Sequence, residues 1–291
     1  RPPRSTLSSS SAASDVYKRQ RQGVVFAFTA LMVLFAVTTS FADARVPHGT
    51  IVITNDYEFT PQNGVCSGSG TSDDPYVIQN WIIDAGQADY GILVRGTTRA
   101  FVIRNVEISG AARSAIFFSY VKHGRVEGCL LNGNWSGVTL SFSTLNRIAQ
   151  NTLANNGDGL RLYFSANNQI LDNSFRAHET AIWLDASNNN VLLRNLIRDG
   201  YAGVYLTLGS QDNLLAENAF VDNVRHAYAD ATNQWDAEGR GNYWDGYSAI
   251  DANADGIWDA AYPIDGAGNL DRFPLKLHPR VEAPPPATCQ P

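Results

Sequence analysis

The chain has 291 residues, 44% of them apolar and 17% charged, which places it among ordinary ordered proteins and excludes a disordered or fibrous one. Five of the 22 basic residues and one of the 28 acidic residues precede Asp43, so from there on 17 basic side chains face 27 acidic ones. Phosphate recognition needs a basic face, and a nucleic-acid partner is excluded on that ground.

Residues 1–42 read as an upstream extension followed by a signal peptide. Arg1 to Tyr17 is low in complexity and is set aside from the fold; Met32 is the one Met in the chain. Gly23 to Val37 is an apolar run of 15 residues, preceded by Lys18, Arg19 and Arg21 and followed by Ser40, Phe41, Ala42, Asp43 and Ala44. A basic flank, an apolar stretch too short to span a bilayer and small residues near Ala42 or Ala44 predict export, to the periplasm or the cell surface, with no transmembrane helix in the mature protein. An oxidising compartment permits disulfides, but the odd set of Cys66, Cys129 and Cys289 leaves their pairing undetermined. Cys129 falls on an interior repeat position and reads as a small buried hydrophobe.

Residues 43–75 read as an N-terminal cap. Ile51 to Phe59 alternates like a strand, and Gly64 to Pro75 is a turn-rich loop. Residues 76–232 form the repeat region, which Tyr76 to Ile83 opens as a pair of buried strands. Between residues 124 and 223 one unit recurs every 22 residues with a single slip to 23. Its signature is a small residue followed by a larger apolar one: Gly91-Ile92, Ala115-Ile116, Gly137-Val138, Gly159-Leu160, Ala181-Ile182, Gly203-Val204 and Ala227-Tyr228. A second apolar pair straddles a polar turn, as in Ile148 and Leu153 or Ile170 and Phe175. Three short extended runs per unit, with no helical periodicity, predict an all-β, right-handed parallel β-helix of about seven coils. The pattern of a leucine-rich horseshoe does not fit these units.

Two columns of Asn keep the same register: Asn146, Asn168, Asn190 and Asn213, then Asn151, Asn173, Asn195 and Asn218. Identical amides one coil apart can bond to each other while satisfying a tight bend, so they read as structural ladders. The column Gln150, Asp172, Arg194 and Glu217 reads as external charge pairing between coils. Residues 233–279, rich in Trp, Tyr, Gly and Asp and without period, read as a C-terminal cap over the last coil, and the Pro-rich residues 280–291 as a tail.

Two candidate sites stand out. Oxygen ligands at alternate positions around a Gly, as in Asp251, Asn253, Asp255 and Asp259, suit a hard cation such as Ca²⁺, although the position where an EF-hand places its bidentate Glu is Tyr262. Alternation along the repeated strand turns Phe117, Thr139, Arg161, Trp183 and Tyr205 outward, with Tyr163 and Asp185 two residues further along. The strip of Phe117, Arg161, Tyr163, Trp183, Asp185 and Tyr205 is the candidate ligand-binding face, for a polysaccharide or a protein partner. Asp158, Glu179 and Asp185 lie near it and Arg161 could serve as base or clamp, which leaves a polysaccharide lyase or glycoside hydrolase, and a purely structural cell-surface solenoid, as alternatives. No catalytic residue is assigned. His48, His123, His178, His226 and His278 share no repeat register, so the residues themselves do not build a copper site.

The opening GVCSGSGTSDDPYVIQNWIID, the coils, and the closing NQWDAEGRGNYWDGY, DANADGIWDAAYPI and DRFPL together resemble the NosD-type family of periplasmic, copper-binding β-helix proteins. The resemblance implies a non-enzymatic accessory protein, copper as a ligand, and a membrane transporter and a copper enzyme, nitrous oxide reductase, as partners in maturation.

Overall fold

A computed structural model describes residues 44–279. The expected signal peptide, the expected Pro-rich tail and Cys289 lie outside these residues. Three sheets of nine, eight and nine strands run side by side, each strand pairing in parallel with the strand one unit later in the chain, except that the edge strand Val65–Ser67 pairs antiparallel with Tyr76–Gln79 in the eight-stranded sheet. One unit comprises Arg147–Ala149, Thr152–Ala154 and Asp158–Tyr163, one strand for each sheet, and the next comprises Gln169–Leu171, Ser174–Arg176 and Thr180–Asp185. The register is strict: Ile148 pairs with Ile170, Leu153 with Phe175 and Leu160 with Ile182. The result is a parallel β-helix of about eight turns. The turn beyond the expected seven arises because Ile51–Ile53 pairs with the strand Tyr90–Arg95 and extends the third sheet downward. After Ile53 the chain leaves extended geometry for two short 3₁₀ turns, Asp56–Glu58 and Pro61–Asn63, so the strand expected as far as Phe59 stops early.

The core is a continuous column of stacked apolar side chains. Ile116, Val138, Leu160, Ile182 and Val204 are all fully buried, as are Ile148, Ile170, Leu153, Phe175 and Ile197. Stacking identical positions one coil apart removes each apolar face from water, which a single coil cannot do alone. The small residue of the signature has a steric cause. A Cβ on Gly159 would lie 2.5 Å from the Ala181 carbonyl oxygen and 2.7 Å from the Phe175 ring, so this corner has room for hydrogen alone at Gly159, and two coils that depart from Gly carry only a methyl, at Ala115 and Ala181.

The bends are satisfied by ladders. Asn173 donates its side-chain amide to Asn195 Oδ1 (3.0 Å) and to the Ile148 carbonyl (2.9 Å), and its backbone N–H also goes to Asn195 Oδ1 (3.0 Å). Asn168 does the same with Asn190 and Ser143. A third ladder, at the remaining corner, consists of Asn134, Asn156 and His178, with the Asn156 N–H directed at His178 Nδ1 (3.3 Å). The residue before each rung lies in the left-handed region, as at Gln150, Asp172, Arg194 and Glu217 (φ +53° to +57°). That column therefore makes the turn as well as the charge pairs, the clearest being Arg194 on Asp172 at 2.7 and 2.9 Å.

The cap continues the same geometry. Asn233 and Asn242 add a rung to each Asn ladder, and Asn269 and Asp271 end them by accepting the backbone N–H groups of Asn233 (2.7 Å) and Asn242 (2.6 Å). Trp244 is stacked between Phe220 (4.4 Å) and Tyr262 (4.2 Å) and closes the apolar column.

Candidate functional site

The outward face of the third sheet carries the strip. Parallel pairing aligns Phe117, Thr139, Arg161, Trp183, Tyr205 and Tyr228 in one column, and Ser141, Tyr163, Asp185 and Thr207 in the next. At its centre the Arg161 guanidinium lies 4.3 Å above the Trp183 ring and donates to Asp185 Oδ2 at 2.8 Å. Asp185 Oδ1 accepts from the Thr207 hydroxyl at 2.5 Å, and the Trp183 indole N–H donates to Thr207 Oγ1 at 2.8 Å. Asp158 approaches the other side of the guanidinium at 3.8 Å. Burial pushes the Asp158 carboxyl up to about 6 against the pull of Arg161, and the charges of Glu179 and Asp185 add to the rise.

The strip therefore divides. Arg161, Trp183 and Asp185 meet, joined by Thr207 and Asp158. Asp185 keeps its place in the register but is only 3% exposed, because Arg161 and Thr207 cover the carboxylate that the alternation turns outward. Phe117 stands apart, stacked on Tyr90 at 4.7 Å, with Thr139 between it and Arg161. Tyr205 belongs to a second group in which its hydroxyl accepts from Arg225 (2.8 Å) and its ring leans on Tyr228. Tyr163 turns to the corner and meets the Phe142 and Phe164 rings edge-on. Thr207 is legible one repeat after Asp185. The exposed stack of Tyr120, Phe142 and Phe164 also keeps the 22-residue step and was open to the same reading.

The Asp251 to Asp259 loop closes on itself. Asp251 Oδ1 and Asn253 Oδ1 accept the Asp255 N–H, Asp255 Oδ1 accepts the Ile257 N–H, and Asp259 Oδ2 accepts the Ala252 N–H. Lys276 Nζ sits on Asp251 Oδ2 at 3.0 Å, so an ammonium already supplies the positive charge. Among the described residues no group of three His, Cys, Asp or Glu is placed to hold a metal ion.

A family model described as periplasmic copper-binding protein (NosD) matches residues 45–249, well over half of the chain. The chain belongs to the NosD family. Two curated NosD proteins, each called a probable ABC transporter binding protein, are similar to it: that of Stutzerimonas stutzeri at 46% identity over 82 residues and that of Pseudomonas aeruginosa at 43% over 86. These alignments cover 27% and 28% of this chain and 18% and 19% of the relatives, so the chain spans less than a fifth of the NosD proteins it matches. Among solved structures, the A-module of the mannuronan C-5 epimerase AlgE6 from Azotobacter vinelandii superimposes with a TM-score of 0.51 at 16% identity, over 66% of this chain and 54% of that one. The likeness shows the shared β-helix. Among the described residues no helix is long and apolar enough to cross a membrane.

The donors that copper favours are scattered in this member of the NosD family. Both nitrogens of His178 are engaged in its ladder, His226 Nε2 contacts the Asp245 carbonyl, and burial pushes the Cys129 thiol up to about 12, which denies it a thiolate. The described residues do not fit a copper site.

Proposed function

We propose that this NosD-family chain is an exported, non-enzymatic accessory protein that recognises a partner through the Arg161, Trp183 and Asp185 face and serves an ABC transporter in the maturation of a copper enzyme. The observation that supports binding over catalysis is the closed circuit from Arg161 through Asp185 and Thr207 to Trp183. Its carboxylate is buried and already accepts two hydrogen bonds, which makes a rigid recognition surface and a poor base or nucleophile. The transporter enters through the names of the relatives, and the copper enzyme through the family.

The test is a chromosomal Trp183→Ala exchange, with copper content and visible absorption of nitrous oxide reductase as the readout. Loss of copper loading with the variant still exported supports the reading; full loading in a strain lacking the whole gene overturns it. A second reading, glycoside cleavage, draws on Asp158, whose raised carboxyl suits a general acid. Product release from acidic or neutral polysaccharides that disappears in Asp158→Asn would establish that reading in place of the first.

A further inference from the structure

The closing motif is mostly spent on capping, but three of its residues are not. Asn233, Asn242, Asn269 and Asp271 end the ladders and Trp244 closes the core. Trp235, Asp236 and Arg272 instead line a cleft of 320 Å³ between the last turn and the cap, together with Asp212, Thr232 and Gln234. Trp235 is 1% exposed, and its indole N–H is buried with no acceptor among the described residues. A buried donor left unpaired costs roughly 1–3 kcal/mol, so a ligand oxygen that reaches it after a small shift of the ring gains that interaction at little desolvation cost. The wall beside it is rigid: Arg272 grips the 2%-exposed Asp236 carboxylate from Nε (2.9 Å), from Nη2 (2.5 Å) and from its own backbone N–H (3.1 Å).

We propose that this cleft binds a small neutral polyol of about monosaccharide size. The volume sits at the low end of the roughly 300–1,000 Å³ of ligand pockets and matches about ten waters at 30 Å³ each. Neutrality follows from charge. Arg272 is neutralised by Asp236, and the remaining charged group of the lining is the Asp212 carboxylate, which repels anions. Hydroxyls follow from the mixture of groups: Trp235 and Thr232 donate, while Asp212 and the Gln234 amide oxygen accept.

The test is calorimetry and tryptophan fluorescence on the exported chain, with glucose and mannitol as neutral probes and gluconate as the anionic one. Saturable binding of a neutral probe is expected, at least tenfold tighter than gluconate, weakened about tenfold in Trp235→Phe, which keeps an aromatic ring of smaller size and lacks the N–H, and unchanged in Trp183→Ala. Asp212 is exposed, so Asp212→Asn keeps the question open to measurement if the Trp235 variant fails to fold; it should also weaken binding. Absence of binding by both neutral probes, binding that neither cleft substitution alters, or gluconate binding as tightly as glucose overturns the proposal. Loss of binding in Trp183→Ala would place the sugar on the strip and overturn it equally.

Discussion

Asp271 Oδ2 accepts the backbone N–H of Asn242 at 2.6 Å and so ends a ladder that runs through Asn151, Asn173, Asn195 and Asn218. The same oxygen accepts the Trp244 indole N–H at 2.8 Å, and Oδ1 accepts the Phe273 N–H. Every contact asks for an acceptor, and the site is fully buried. Asp271→Asn turns one acceptor into a donor facing N–H groups, and should lower stability at pH 7.5 by roughly 2–3 kcal/mol, read as a fall in Tm of about 5–10 °C. An unchanged Tm would mean that the cap is not held through this residue.

Interior rungs should be costlier than their neighbours in sequence. Asn173→Ala removes four hydrogen bonds at a fully buried site, two donated by the side-chain amide and two accepted by Oδ1 from Asn151, with an expected loss of roughly 2–4 kcal/mol. Gln169→Ala, at an exposed position on the adjoining strand, should change stability by less than about 0.5 kcal/mol. Urea midpoints of the two variants check the contrast.

The ladders explain what the sequence could and could not tell. The Asn columns and the inward Ile116, Val138 and Leu160 were legible because a stack forces identical residues to the same register. The third ladder escaped because His178 stands where the pattern has Asn, and Gly200 where the next rung is due. The strip was legible as a set of outward positions and no further. Alternation says which face a side chain leaves from, whereas the burial of Asp185 depends on Arg161 from the coil beneath and Thr207 from the coil above. The Asp251 to Asp259 loop is ambiguous for a related reason: alternate oxygens suit a cation and equally suit a turn that caps its own N–H groups, as these do, and the pattern cannot foresee Lys276 on Asp251.

The circuit on the strip should behave as a unit. Asp185→Ala strands the Arg161 guanidinium and frees the Thr207 hydroxyl, so it should cost more than Arg161→Ala, and the double variant should cost less than the two single losses added together. A double-mutant cycle by thermal unfolding measures the coupling. Additive losses would show the contacts to be independent and weaken the case for a preorganised surface.

Acid should act on the third corner. Its rung, His178, lies between the Asn156 N–H and the Leu153 carbonyl, and burial holds its imidazole below the usual range, so the folded state keeps it neutral. A depressed histidine gives stability that is complete above its unfolded pKa of about 6.5 and is lost as pH falls below that value toward the folded pKa. Two carboxyls oppose the trend. Asp158 and Asp271 are raised to about 6 by burial, so their contribution is present at low pH and is lost as pH rises through about 6. The net slope between pH 7.5 and 5.5 is therefore set by His178 and His226, the second also held below the usual range by burial, against these two carboxyls toward the lower end of that range. His178→Asn, which restores the amide of the other rungs, should remove the His178 part and leave a protein whose Tm rises, relative to the parent, as pH falls from 7.5 to 5.5. Parallel Tm profiles for parent and variant over that range would show that the ring titrates alike in the folded and unfolded states, and that the ladder tolerates its charge.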